Sequence, residues 1–169
     1  PLPIVYNNLD DSFYKEVLKV IPDTTSLVTG SFFRDGDFIY NSIINVSARL
    51  NNVYNKGHLV PFGEFLPFKN MLGAVYDYIG LNVYDIKKGN TTKSLKIKNY
   101  IAHSLICYES IFSFESLVTD KDSDFILNVS NDGWFGDNSL APYQHLDALV
   151  MRSLENQRYS IRSTNTGIS

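Results

Sequence analysis

Short apolar runs that read as strands alternate along this chain with segments of helical period, and that alternation constrains the fold more than any other feature. "TSLVTGSFF" reads as a buried strand and "FIYNSIINVS" as a second, joined through the turn "RDGD". "VYNKGHL" reads as a short strand passing into a loop. "SLKIKNYIAHSLICYE" predicts two strands turning at Lys98-Asn99. "SDFILNVSNDGWFG" predicts a core strand running into a glycine-containing loop, and "YSIRSTNTG" a last strand. Between these runs, "DDSFYKEVLKVI" places Phe13, Val17, Leu18 and Ile21 at helical spacing, with Asp11 or Ser12 as N-cap. "SIFSFESLVTD" reads as helical, and "APYQHLDALVMRSLENQRY" sets Leu146, Leu149, Val150 and Leu154 on one helix face. Residues 60–81, rich in Phe, Tyr, Pro and Gly, read as a long loop carrying a helix over 70–79. Strands alternating with helices predict an α/β domain, and a chain of 169 residues predicts one such domain over 1–169.

Charge and cysteine usage exclude several functions. The formal net charge is −3 and the basic residues are scattered, which gives no footprint for nucleic acid. A single cysteine cannot form an internal disulfide or a Cys-rich zinc site. No metal and no cofactor are expected.

That cysteine, Cys107, ends the apolar run "HSLIC" and precedes Glu109 by two positions. One reading is a buried structural thiol, because free Cys packs as a small hydrophobe. The other is a nucleophile at a strand-to-helix turn, where unpaired N–H groups favour a thiolate. There the N–H of Tyr108 could hold an oxyanion. A nucleophile also needs a base and charge stabilisation. His58, His103 and His145 are candidates for a Cys–His pair, though each also reads as an ordinary polar residue. Lys56 reads as a lysine at a strand end, either solvated or facing what the next loop encloses. Glu64 lies in that aromatic loop. Arg158 and Arg162 read as a phosphate contact or as ion pairs at the core edge. Met151 and Leu154 read as core.

Five stretches, "YNKGHLVPFGEFLPF", "ICYE", "SNDGWFG", "QHLDALVMRSLENQR" and "RSTNTGIS", occur in that order. Together they resemble the apolipoprotein N-acyltransferases, a family of the nitrilase, or carbon–nitrogen hydrolase, superfamily. The resemblance spans nearly the whole chain. It implies a four-layer αββα sandwich, present here incompletely, and a Glu-Lys-Cys catalytic set in which Lys56 and Cys107 match the lysine and the nucleophile. It implies supporting roles for Glu64, Glu109 and the Tyr108 N–H, and contact with the acyl substrate by Trp134 and Phe65. Trp134 also reads as a packing residue of a tight turn. The resemblance further implies a phospholipid acyl donor and an apolipoprotein acceptor. It implies membrane contact through the parent protein, in a bacterial inner membrane with this domain facing the periplasm. The apolar residues of 60–81 are expected to form an arm near the pocket mouth that meets lipid.

The catalytic glutamate of the family is expected upstream of Pro1, since "PLPIVYNN" resembles the family's residues immediately C-terminal to the segment that carries it. Glu16 stands in different surroundings and is not assigned that role. The chain is thus expected to be a piece of a longer protein, and inactive alone. A soluble amidase of the same superfamily and a non-catalytic module remain as alternative readings.

Overall fold

The structure, a computed structural model, describes residues 2–7, 16, 19–22, 24–46, 52–81, 83, 85–89, 93–117, 122–136 and 139–169. Two four-stranded sheets organise it. The first contains β1 (Leu2–Asn7), β2 (Leu27–Asp35), β3 (Phe38–Val46) and β4 (Asn52–Asn55), in that order. β1 runs parallel to β2, and the other neighbours are antiparallel. β2 and β3 pair from Leu27↔Val46 to Asp35↔Phe38, which leaves Gly36 and Asp37 as a two-residue turn. Gly36 takes φ +57 there, the left-handed backbone that such hairpin turns require.

The second sheet contains β5 (Ser94–Ile97), β6 (Tyr100–Ile106), β7 (Phe125–Ser130) and β8 (Ser160–Thr164). β5 and β6 turn at Lys98-Asn99, as expected, while β6, β7 and β8 are mutually parallel. Parallel strands are buried on both faces and so carry continuous apolar runs rather than alternating ones. β6 and β7 show the consequence. Ala102, Ile106, Leu127 and Val129 face the first sheet, where they pack with Leu95 against Ile43 and Tyr54. Leu105 and Ile126 face the opposite way and pack on Leu149. Leu149 belongs to α2 (Ala141–Asn156), which covers that face; α1 (Lys69–Tyr78) lies between β4 and β5 in the chain. On the far side of the first sheet Phe33, Ile44 and Val46 form a further buried cluster. The fold is α/β and nitrilase-like, with the order helix, sheet, sheet among the described residues. The helix expected over "DDSFYKEVLKVI" lies almost wholly outside them.

Three elements add to or correct the expectations. The sequence reading singles out no strand over Leu2–Asn7, yet its backbone pairs with β2 and the register slips between Leu2 and Val5 around Pro3. An edge strand with a bulge tolerates the missing proline N–H. "SIFSFESLVTD" is helical only as 3₁₀ turns: it begins in the turn Cys107–Ile111 and holds a second, Phe114–Ser116. Serine hydroxyls there take backbone carbonyls, Ser110 that of Cys107 and Ser116 that of Glu109, in competition with a helical ladder. Third, α2 buries His145, Leu149 and Arg152, while Val150, Met151 and Leu154 are exposed. The buried polar groups satisfy the irregular segment beside them. His145 meets the Cys107 carbonyl, Arg152 donates to that of Ile111, and Asn156 to that of Ser116.

Candidate active site

β6 delivers the chain to Cys107, and there the backbone breaks direction. Cys107 is half-buried with φ +49, a left-handed conformation that costs a residue with a Cβ about 1–2 kcal/mol. Strain of this kind persists only where surrounding contacts over-determine it. Here the Ser110 hydroxyl lies 3.1 Å and His145 Nε2 2.9 Å from the Cys107 carbonyl oxygen. The preceding N–H, of Ile106, donates to the Glu109 carboxylate at 2.7 Å.

Glu109 is the hub of the site. Its side chain is 0% exposed. Oε1 accepts from the Tyr54 hydroxyl at 2.8 Å, from the Gly57 N–H at 2.9 Å and from the His58 N–H at 3.0 Å. Oε2 takes the Ile106 N–H and a second contact from Tyr54 at 3.0 Å. The Lys93 ammonium stands 3.8 Å from Oε1. Burial, and then the negative charge of Glu109, push the Tyr54 phenol far above its ordinary range, so it stays a donor. One carboxylate thereby ties the loop after Lys56 to the turn that carries Cys107.

Lys56 follows β4 and is 1% exposed. Its ammonium donates to Glu64 Oε2 at 2.8 Å. Glu64 is held in turn by the Val60 N–H at 2.8 Å and the Asn41 amide at 2.6 Å. The backbone of Lys56 is fixed on both sides, its N–H by the Asn41 carbonyl and its carbonyl by the Gly89 N–H. Gly89 is required at that crossing, because a Cβ there would stand 2.2 Å from the Asn55 carbonyl oxygen.

Over the Cys107 turn lies an aromatic group. His58 stacks on Phe112 with centroids 4.2 Å apart, Tyr108 meets Phe112 edge-on, and His58 Nδ1 lies 2.9 Å from Glu115. Under the turn lies an ionic group that no local motif assembles. Buried Asp132 accepts from the Ser130 hydroxyl at 2.6 Å and from Arg162 Nη2 at 2.6 Å, with His145 Nδ1 at 3.1 Å. Burial opposes its ionisation, but the Ser130 hydrogen bond, the Arg162 charge and His145 together hold its carboxyl below the usual range. In the sequence Asp132 reads only as a turn residue, and Arg162 is an inward ion-pair partner rather than a free phosphate contact. The helical spacing of His145, Leu149 and Arg152 on one face marks His145 as inward but does not reveal its partners.

The structure therefore joins Lys56 to Glu64, and Glu109 to both the Lys56 loop and the Cys107 turn. Phe65 is half-buried in the turn 61–65, and Trp134 is 77% exposed on the 3₁₀ turn Asp132–Phe135, so it does not serve as a packing residue.

Comparison with known proteins matches residues 24–169 to the carbon–nitrogen hydrolase family. The chain is 42% identical over 135 residues to an apolipoprotein N-acyltransferase of Methylococcus capsulatus, covering 79% of this chain and 26% of that protein. It is 37% identical to the protein of that name from Pasteurella multocida, and 36% to that from Haemophilus influenzae. Each of those two alignments covers 99% of this chain and 34% of the relative. The chain thus spans about a quarter to a third of the length of the curated relatives it matches.

Proposed function

The chain belongs to the carbon–nitrogen hydrolase family, and from that premise we propose that it carries the Lys56 and Cys107 portion of a Glu-Lys-Cys acyltransferase site. In this reading the Cys107 thiolate attacks the ester carbonyl of a phospholipid. A C–S bond forms, the ester C–O bond breaks, and the lysophospholipid alkoxide leaves and takes a proton. The amino group of a lipid-modified cysteine at the N-terminus of an apolipoprotein then attacks the thioester. A C–N bond forms, the amine gives up a proton and the thiolate leaves. The Lys56 ammonium and the Tyr108 N–H stabilise the oxyanion of both steps. Glu64 and Glu109 hold the lysine and the nucleophile turn in place.

The observation that carries the reading is the Glu109 carboxylate, bound at once to the N–H groups of Gly57, His58 and Ile106. These flank Lys56 on one side and Cys107 on the other. A lipid substrate, rather than the small amide of a soluble hydrolase, is favoured by the apolar exposure of Phe62, Phe68, Met71, Val75, Tyr78 and Ile79 along and around α1. In the parent protein this face lies against the membrane, and Phe65 and Trp134 meet the acyl chain. The setting in this reading is a bacterial inner membrane, with the domain on its periplasmic side.

The test uses the full-length parent protein in detergent with a phospholipid of defined chains. Intact-mass analysis should show one added acyl group that is lost in Cys107→Ala and released by a lipopeptide amine. An adduct that survives Cys107→Ala, or one formed from small amides but never from phospholipid, would overturn it.

A further inference from the structure

The Cys107–Tyr108 peptide unit carries two groups that point opposite ways. In a trans peptide the carbonyl and the following N–H are antiparallel, and no cis peptide occurs among the described residues. The Cys107 carbonyl is held from one side by His145 Nε2 at 2.9 Å and by the Ser110 hydroxyl at 3.1 Å. The Tyr108 N–H is therefore aimed at the other.

His145 is itself held on every side. From the turn Asp132–Phe135, Asp132 Oδ1 lies 3.1 Å from Nδ1, and the Phe135 ring meets the imidazole edge-on at 5.9 Å. From β8, Arg162 Nη2 lies 3.4 Å from Nδ1. From the nucleophile turn comes the Cys107 carbonyl, with buried Glu109 on the same turn. Arg162 is already committed. Its Nη2 donates to Asp132 Oδ2 at 2.6 Å, its Nη1 to Asn128 and its Nε to the Ile168 carbonyl.

The donor and acceptor inventory then decides where the protons are. A carbonyl oxygen can only accept, so Nε2 bears a hydrogen. The Asp132 carboxyl is held in its ionised form by Ser130 and Arg162, so it too can only accept. Nδ1 lies between the Asp132 carboxylate at 3.1 Å and Arg162 Nη2 at 3.4 Å, and these two partners fix the ring in place.

We propose that His145 is a positioning residue, anchored by Asp132 and Arg162, that orients the Cys107–Tyr108 peptide so that the Tyr108 N–H faces the carbonyl under attack by Cys107. The proposal rests on Cys107 being the nucleophile. It assigns to α2 a direct part in the oxyanion site, reached through one peptide plane. The buried ion pair of Asp132 and Arg162 then has a task beyond cohesion, since it fixes the ring that is bonded to the nucleophile's own carbonyl.

The experiment has two arms on the 169-residue chain, whose only thiol is Cys107. The first is long-range proton–nitrogen NMR at neutral pH, with His145 assigned by its loss in His145→Gln. Nε2 should give the protonated signature; a ring whose Nε2 is bare, and so cannot donate to the Cys107 carbonyl, overturns the proposal. The second compares two reactions of the same thiol. With p-nitrophenyl butyrate the thiolate attacks the carbonyl, a C–S bond forms through an oxyanion, and p-nitrophenolate leaves with the C–O pair. With iodoacetamide a C–S bond forms, iodide leaves and no oxyanion arises. His145→Leu should slow acylation on the order of 10²–10³-fold, the effect of losing one oxyanion donor. Alkylation should be unchanged, and His145→Gln, which keeps a neutral donor, should recover most of the acylation. Equal losses in both reactions, or a loss in neither, overturn the proposal. Should His145→Leu fail to fold by circular dichroism, His145→Gln and the NMR arm decide. If the unchanged chain alkylates but never acylates, the nucleophile reading fails for the chain alone, and the Nε2 signature still decides whether His145 holds the Cys107 carbonyl.

Discussion

Replacing Glu109 with glutamine keeps the shape of the side chain and removes the property the site depends on, two acceptor oxygens. The amide oxygen can be turned toward Gly57, His58 and Tyr54, which keeps three of the hydrogen bonds made by Oε1 and Oε2. The amide NH₂ then faces the Ile106 N–H, which donates at 2.7 Å in the native chain and has no acceptor in the variant. An orphaned buried donor costs about 1–3 kcal/mol, and each bond that changes from charged to neutral weakens by about 1 kcal/mol. Lys93, nearly buried at 3.8 Å, loses its counter-charge as well. Relief of the buried carboxylate's desolvation offsets several kcal/mol of this. The net loss is about 3 kcal/mol, or roughly 6–12 °C in Tm for a chain of this size. Urea unfolding followed by circular dichroism measures it. Stability of Glu109→Gln within about 0.5 kcal/mol of the parent, the range of a neutral surface change, would refute the account of Glu109 as the clamp.

Three further outcomes arise from the same geometry. Asp132 has its carboxyl held below the ordinary range, so the stability it contributes is present above the unfolded value near 3.9 and is lost as pH falls through the lower folded value. Urea midpoints measured down to about pH 3 should fall in the parent and flatten in Asp132→Asn; an unchanged slope counts against the ion pair. Lys56→Ala in the full-length protein should raise the acyl-transfer barrier by about 2.7–4 kcal/mol if the ammonium acts as one oxyanion donor, read as kcat/KM. Phe68→Ser with Met71→Ser should weaken sedimentation of the chain with phospholipid vesicles while leaving its urea midpoint intact, since both side chains are exposed.

The strands are legible in the sequence because they are short apolar runs, and two pairs of them are joined by two-residue turns, at Gly36-Asp37 and Lys98-Asn99. β1 is not, because Pro3 argues against a strand everywhere except at an edge, and edge position is a property of the sheet. The buried face of α2 escapes sequence reasoning for a similar reason. Leu146, Leu149, Val150 and Leu154 have the right period, but the neighbouring segment 107–116 offers unpaired carbonyls, and polar side chains answer them better than apolar ones. Lys56 and Cys107 can be singled out from local motifs. The partners of Glu109 cannot, since Tyr54, Gly57 and His58 lie 51 to 55 positions away in the chain. Nor can the network of Asp132, His145 and Arg162, whose meaning depends on which carbonyl His145 reaches.

The central claim is that Lys56 and the Tyr108 N–H address one carbonyl at Cys107. The most direct measurement is a crystal structure of the chain after Cys107 has been acylated by an activated ester. The thioester oxygen should lie about 2.7–3.1 Å from both the Lys56 Nζ and the Tyr108 nitrogen, the distances of an oxyanion site. A thioester oxygen turned to solvent, with Lys56 still bound only to Glu64, would contradict the account.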